Sequence, residues 1–208
     1  SSIALIDDGP AACCFRVTTY MQVPESMNFH RHGVCRSDKT TELRIVSDIS
    51  LGAADRYVDV RTTVHNSAAD HRLRLVIPTG IGTSTYHAGQ AFADVERAVG
   101  FDRNSGDWKE PDTAERAFNG YVFKRESAGN GLAFLAEYGL RECAALDDEK
   151  GSLVVTLFRS FSRTFLTDGQ PDGQLQGPLT FHYRLLPLQP EDRIADIHRM
   201  RDRLQTGI

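Results

Sequence analysis

Tyr57-Val58-Asp59-Val60-Arg61-Thr62-Thr63-Val64-His65-Asn66-Ser67-Ala68-Ala69-Asp70-His71-Arg72-Leu73-Arg74-Leu75-Val76-Ile77-Pro78-Thr79-Gly80 is the stretch of this 208-residue chain that decides its fold class. Val58, Val60, Thr62 and Val64 alternate with Tyr57, Asp59, Arg61, Thr63 and His65, the period of two that buries one face of a β-strand. Asn66 to Asp70 carry turn chemistry, because short Asn and Asp side chains bond their own backbone and tolerate unusual dihedral angles. Leu73, Leu75 and Ile77 resume the alternation, with Arg72 and Arg74 facing outward, until Pro78 and Gly80 stop the strand. The spacing predicts a long antiparallel hairpin near the centre of a sheet.

Strand patterns continue on both sides of this stretch. Ala12 to Val23 and Thr41 to Ile49 precede it; Asp94 to Phe101 and Leu179 to Leu188 follow it. Phe118 to Lys124 and Leu132 to Tyr138 flank the turn cluster Glu126-Ser127-Ala128-Gly129-Asn130-Gly131, which predicts a hairpin. Leu140 to Leu146 and Leu153 to Phe158 flank Asp147-Asp148-Glu149-Lys150-Gly151 and predict another. Gly82 to Ala93, the stretch running to about Arg116, and Ser160 to Gly177 read as long loops. Many strands with turn signals and no helical pattern between them indicate an all-β fold, an antiparallel β-sandwich over residues 1–188. Residues 189–208 differ. Pro190-Glu191-Asp192 opens a short C-terminal helix, and Ile194, Ile197, Met200 and Leu204 give it an apolar stripe to pack on the sandwich or on a neighbouring domain.

A net charge of -4 puts no basic field on the surface, which argues against nucleic acid or an anionic membrane as partner. No apolar run approaches the about 18 residues of a membrane span. The start Ser1-Ser2-Ile3, without Met or a signal-peptide pattern, leads us to expect a piece of a longer polypeptide. Cys13, Cys14, Cys35 and Cys143 have no regular spacing, so reduced cysteines and a cytoplasmic location are expected.

The chain also resembles a known family. The central stretch, V-x-V-x-T-T-V-x-N, then D-H-R-L-R, then P-T-G-I, is similar to the C-terminal β-domain of family 38 glycoside hydrolases, the α-mannosidase and mannosylglycerate hydrolase group. Further blocks fall in order: Asp94-Val95-Glu96-Arg97, Trp108-Lys109-Glu110-Pro111, Gly131-Leu132-Ala133-Phe134-Leu135, Gly139-Leu140-Arg141-Glu142, Thr156-Leu157-Phe158-Arg159-Ser160 and Phe181-His182-Tyr183-Arg184-Leu185-Leu186-Pro187. The resemblance covers residues 36–188 and implies a supersandwich-like β-domain. It also implies a retaining α-mannosidase whose nucleophile, acid/base carboxylate and zinc lie in an N-terminal catalytic barrel of the same polypeptide. No residue of this sequence matches those catalytic motifs, so no catalytic residue and no zinc ligand is expected here. The implied partner is a mannose-containing carbohydrate. The strand ending Leu157-Phe158-Arg159 corresponds to one from which, in relatives, an Arg reaches the rim of the sugar site; Arg159 and Arg163 are the two candidates.

Three further side chains are candidates for that rim. Tyr86 and His87 lie in the Gly82–Gln90 loop with its hydroxyls, and Trp108 is the single Trp. Burial is expected of Trp108, since Trp is highly buried on average. His30 and His32, with Cys35 nearby, are weak metal candidates, because residues i and i+2 of a strand share a face. Asp147, Asp148 and Glu149 suggest a glycosidase carboxyl pair, but beside Lys150 and Gly151 they read as a solvated hairpin tip. The sequence therefore points to a C-terminal domain that completes or buttresses a sugar site. A free-standing carbohydrate-binding module and a structural or homo-oligomerisation domain are the alternatives.

Overall fold

The computed structural model describes residues 1–30, 33–163 and 171–207. The chain is an all-β antiparallel sandwich with one C-terminal helix. The strands in order are β1 (Ser2–Asp8), β2 (Ala12–Pro24), β3 (Met27–His30), β4 (Gly33–Arg36), β5 (Thr40–Gly52), β6 (Val58–Asn66), β7 (Arg72–Ile77) and β8 (Thr85–Gly89). They continue with β9 (Asp94–Ala98), β10 (Arg116–Ala117), β11 (Tyr121–Arg125), β12 (Gly131–Ala136), β13 (Glu142–Ala145), β14 (Leu153–Arg159) and β15 (Gly177–Leu188), before α1 (Ile194–Thr206). The residues gather into two compact units, Ser1–Leu73 with Leu157–His182, and Arg74–Thr156 with Tyr183–Ile208.

In the first unit β1, β2, β5, β6 and the first half of β15 are hydrogen-bonded neighbours in that order, and β3 and β4 form a separate two-stranded ribbon. Opposed residues of antiparallel strands share a face, so Leu5, Phe15, Ile49 and Val60 form one apolar row. Exposure along it falls from 51% at Leu5 and 43% at Phe15 to 4% at Val60. The core of the unit thus lies at β6, where Val64 and Thr62 are buried, and at Leu43 of β5. The same face runs out uncovered towards β1, whose seven residues are all exposed and whose pairing with β2 slips between Leu5 and Asp7.

The two strands of the central stretch form where the alternation places them, but they do not pair. β6 lies between β5 and β15, whereas β7 is the edge of a four-stranded sheet ordered β10-β13-β14-β7. The connection explains why the expected hairpin is absent. Asn66 Nδ2 donates to the Leu175 carbonyl (3.0 Å), the Ala69 amide donates to the Glu25 carbonyl (2.8 Å), and Asp70 adopts a left-handed φ of 52°. These bonds tie the segment to other parts of the chain instead of closing it on itself, so the alternating pattern survives while its partner changes.

In the second unit the last half of β15 is followed by β12, β11, β8 and β9. The two later hairpins are those the turn clusters predict: β11 pairs with β12 and β13 with β14, both antiparallel. Phe134 is fully buried, its ring 5.2 Å from Tyr183 and 6.3 Å from Phe118. Burying each such side chain contributes about 1.5–3 kcal/mol. Thr85–Gly89, read from its composition as loop, is strand β8, paired with both β9 and β11. Gly89 permits this: a Cβ there would come 2.5 Å from the Asn119 carbonyl oxygen and 2.7 Å from the Tyr121 ring. The helix begins at Ile194, later than its Pro190-Glu191-Asp192 signal. Asp192 is buried and accepts the Gln189 amide (2.7 Å) in a turn, while Asp196 accepts the Arg193 amide (2.8 Å) and closes the first helical turn. Ile197 and Leu204 are buried, and Gln205 Nε2 reaches the Ala136 carbonyl at the end of β12 (3.4 Å).

Candidate functional site

The first unit contains a cleft of about 450 Å³ whose walls come from the end of β4, the β6–β7 connection and the residues after β14. Its cationic lining is Arg36, Arg72, Arg159 and Arg163; Asp70, His71, Ser160 and Phe161 complete it. β14 delivers two of these residues. Leu153 to Phe158 are all buried, on both faces of the strand, and Arg159 is the first residue to emerge. The Ser160 amide then bonds the His71 carbonyl (2.7 Å), which joins the strand end to the connection before β7.

Asp70 holds the cleft together. Its Oδ1 accepts the Ser162 amide (2.9 Å), the Ser162 hydroxyl (2.8 Å) and Gln174 Nε2 (2.9 Å), while its own amide donates to Gln174 Oε1 (2.9 Å). Its carbonyl accepts Arg36 Nη1 (2.7 Å). Burial pushes the Asp70 carboxyl up, but the bonds from Gln174 and Ser162 outweigh this and hold it below the ordinary carboxylate range. A group so held is ionised near neutral pH and has no proton to give, so it is a structural anion and not a general acid. His71 sits edge-on to Phe158 at 5.2 Å, with neither ring nitrogen in a well-formed hydrogen bond. Burial lowers its pKa; the Ala69 backbone pulls weakly upward and the Arg36 charge adds to the lowering. Arg163 lies over the Phe29 ring, its guanidinium carbon 4.3 Å from the centroid. Phe161 is 41% exposed and presents a flat apolar surface beside these charges.

The cleft thus brings Arg159 and Arg163 together. Tyr86, His87 and Trp108 belong to the second unit. Tyr86 is 1% exposed, its hydroxyl buried near Arg97 and Cys143 without a well-formed hydrogen bond, and its pKa is raised by that burial. His87 stacks on Phe123 at 4.6 Å, and its Nδ1 lies 2.5 Å from Asp94 Oδ2. That contact opens a polar chain: the Tyr121 hydroxyl donates to Asp94 Oδ1 (3.0 Å) and lies 3.0 Å from His198 Nε2. Desolvation and then the Asp94 charge push the Tyr121 pKa far up, so it stays a donor. Trp108 follows the short 3-10 turn Arg103–Asp107 and is 55% exposed, which overturns the expected burial. Asp148 caps its hairpin, accepting the Ser152 amide (2.8 Å), in the structural role its turn context implies.

His30 is exposed on β3, and His32 lies outside the described residues. Among the described residues no three His, Cys, Asp or Glu side chains gather to hold a metal. Cys13, Cys14, Cys35 and Cys143 are free thiols; burial pushes that of Cys143 up to about 12. Arg36, Asp70 and His71 were not among the expected site residues; Asp70 and His71 were read as turn residues within the D-H-R-L-R block, and Arg36 carries no local signal.

No protein-family model matches the chain. Two solved structures from Enterococcus faecalis share its fold over 98% of its length. One is a protein in glycosyl hydrolase family 38, with a TM-score of 0.81 at 21% identity; the other is an alpha-mannosidase of strain V583, with a TM-score of 0.83 at 24% identity. The chain thus shares the fold of one part of each of those two proteins. The chain spans about a quarter, 24%, of each of those two chains. A protein of Halalkalibacterium halodurans with the provisional name mannosylglycerate hydrolase is 27% identical over 172 residues, which is 78% of this chain and 17% of that protein. No helix among the described residues is long and apolar enough to cross a membrane.

Proposed function

We propose that this chain is the C-terminal β-domain of a retaining α-mannosidase-like glycoside hydrolase, and that its arginine cleft completes the sugar site of an N-terminal catalytic barrel in the same polypeptide. The observation that carries the reading is the fold match over 98% of the chain with about a quarter of two family 38 chains. The cleft supports it, because guanidinium donors beside an exposed aromatic ring suit the hydroxyls and apolar face of a mannoside. Asp70, the carboxylate of the cleft lining, is engaged by donors from Ser162, Gln174 and the Met27 backbone. The chain alone therefore binds and orients, and the hydrolytic carboxylates and zinc belong to the barrel. Its free cysteines suit a reducing, cytoplasmic setting.

The test is hydrolysis of an aryl α-mannoside by the parent polypeptide and by the 208-residue chain. Activity is expected only in the parent. Arg159→Lys in the parent keeps the charge but loses the planar fork, and should lower kcat/KM by about 1.5–3 kcal/mol, roughly 10- to 150-fold. Full activity in that variant would leave the domain a scaffolding role; a parent without mannosidase activity would remove the family reading.

A further inference from the structure

The second unit has a cleft of its own, of about 310 Å³, which the function proposed above does not use. One wall is the chain leaving β9, Val99 to Arg103; the other is the turn between β13 and β14, Leu146 to Asp148. The walls are tied together, because the Gly100 amide donates to the Ala145 carbonyl (3.0 Å), with Gly100 at a left-handed φ of 79° that favours glycine. Buried Ser105 clamps the loop that carries Arg103: its hydroxyl donates to the Asp102 carbonyl (2.7 Å) and accepts the Asp112 amide (2.8 Å). The cleft is therefore formed in advance of any ligand.

Its chemistry is mixed. Val99, Leu146 and Ala114 give it an apolar part, and Phe101 is 50% exposed. Asp148 is committed to its own turn, where it accepts the Ser152 amide (2.8 Å). Asp147 and Arg103 are exposed, and no hydrogen bond or ion pair among the described residues holds either side chain. An acceptor and a donor thus line one cleft without neutralising each other. Lys124, 1% exposed, offsets the acids from the interior: burial lowers its pKa, and the charges of Asp148 and then Asp147 oppose the lowering. A cation in the cleft would meet Arg103, and an anion would meet Asp147 and Asp148, so neither suits the lining. A hydroxyl group suits it, since it donates to a carboxylate and accepts from a guanidinium. A pyranose combines adjacent hydroxyls with a C–H face that fits an aromatic ring.

We infer that this cleft of the second unit binds one neutral pyranose residue, with Asp147 accepting from its hydroxyls, Arg103 donating to them and Phe101 against the ring. The site takes sugar whether or not the parent polypeptide is a mannosidase.

The experiment titrates the isotope-labelled 208-residue chain with methyl α-mannoside, methyl α-glucoside, glycine and calcium chloride in separate series, following backbone amide resonances. At least one glycoside should shift the amides of Gly100, Phe101 and Leu146 in a saturable way. Phe101→Ala should weaken that binding about three- to tenfold, the worth of one aromatic contact. Arg103→Ala and Asp147→Ala should each weaken it about tenfold, the loss of one charge-assisted hydrogen bond. All three side chains are exposed, so the variants should fold, with far-UV circular dichroism as the check; Arg103→Lys and Asp147→Asn serve where an alanine variant does not. Silence of these amides towards both glycosides, shifts with glycine or calcium alone, or unchanged glycoside affinity in all three variants overturns the inference. Glycoside shifts confined to His71 and Ser160 would put sugar in the first unit's cleft only, which overturns the inference and leaves the function proposed above standing. Saturable shifts at Gly100, Phe101 and Leu146 in a chain whose parent fails the mannoside assay support this site and remove only the mannosidase reading.

Discussion

Asp70→Ala should destabilise the chain more than its half-buried position suggests. Three donors converge on Oδ1 at 2.8 to 2.9 Å, and hydrogen bonds to a charged group are each worth about 1.5–3 kcal/mol. Water can replace part of that at this depth, so the equivalent of one such bond, about 2 kcal/mol, is the expected net loss. Alanine must also take the left-handed φ of 52°, at a cost of about 1 kcal/mol. The total of about 3 kcal/mol corresponds to a Tm lower by roughly 6–12 °C for a domain of this size. Asp70→Asn keeps an acceptor and tolerates the backbone, so about 1 kcal/mol is expected. Urea unfolding measures both, with the midpoint shifting and the slope unchanged. The folded carboxyl is depressed, so its contribution is complete above pH 3.8 and is lost as pH falls below that value; in Asp70→Asn that part of the acid dependence should vanish. An Asp70→Ala stability within about 0.5 kcal/mol of the unsubstituted chain would refute this role of Asp70.

His71 has a lowered folded pKa, so it too loses stability on acidification, but at a higher pH than Asp70. Stability is complete above about 6.5 and falls as the pH drops below it, because the unfolded chain takes up the proton first; a His71 imidazole that titrates above 6.5 by NMR would contradict this. Gly151→Ala should cost about 3 kcal/mol or more, since φ is 56° and the new Cβ would come 2.1 Å from the Ile81 carbonyl oxygen; an unchanged thermal midpoint would show that the turn can move. Tyr121→Phe should cost about 1–2 kcal/mol by removing the hydroxyl that joins Asp94 to His198, and the His198 ring resonances should shift with it. Phe134→Ala should cost about 3–5 kcal/mol in chemical denaturation, against almost nothing for a change at exposed Phe92.

Local periodicity is a strong signal and strand partnership a weak one, and this chain shows the difference at single residues. Val58 to Val64 and Leu73 to Ile77 are legible as strands because alternation reports which face is buried, not what lies alongside. The bonds that send β7 to another sheet involve Glu25 and Leu175, far away in sequence and without any local mark. The turns Glu126–Asn130 and Asp148–Gly151 are legible because they close on themselves, amide to carbonyl, within five residues. β8 was hidden by its composition: Thr85, His87 and Gly89 suit a loop, and only cross-strand neighbours make them a strand. Arg159 and Arg163 were found through the resemblance. Arg36 and His71 join the lining of the cleft only once folding has gathered them, since a cleft is a property of spacing in three dimensions.

The bare rim of β1 has a practical side. Ile3, Leu5 and Ile6 are 72%, 51% and 47% exposed on an unpaired strand edge, an open template for another chain's backbone. The slip between Leu5 and Asp7 and the acids Asp7 and Asp8 guard one end of the strand; Ser2 to Ile6 has no such guard. A preparation of these 208 residues by themselves would therefore thicken and precipitate from that edge as concentration rises. Lysine at position 3 or 5 should keep it in solution at little expense to folding, because neither side chain there contributes to a core.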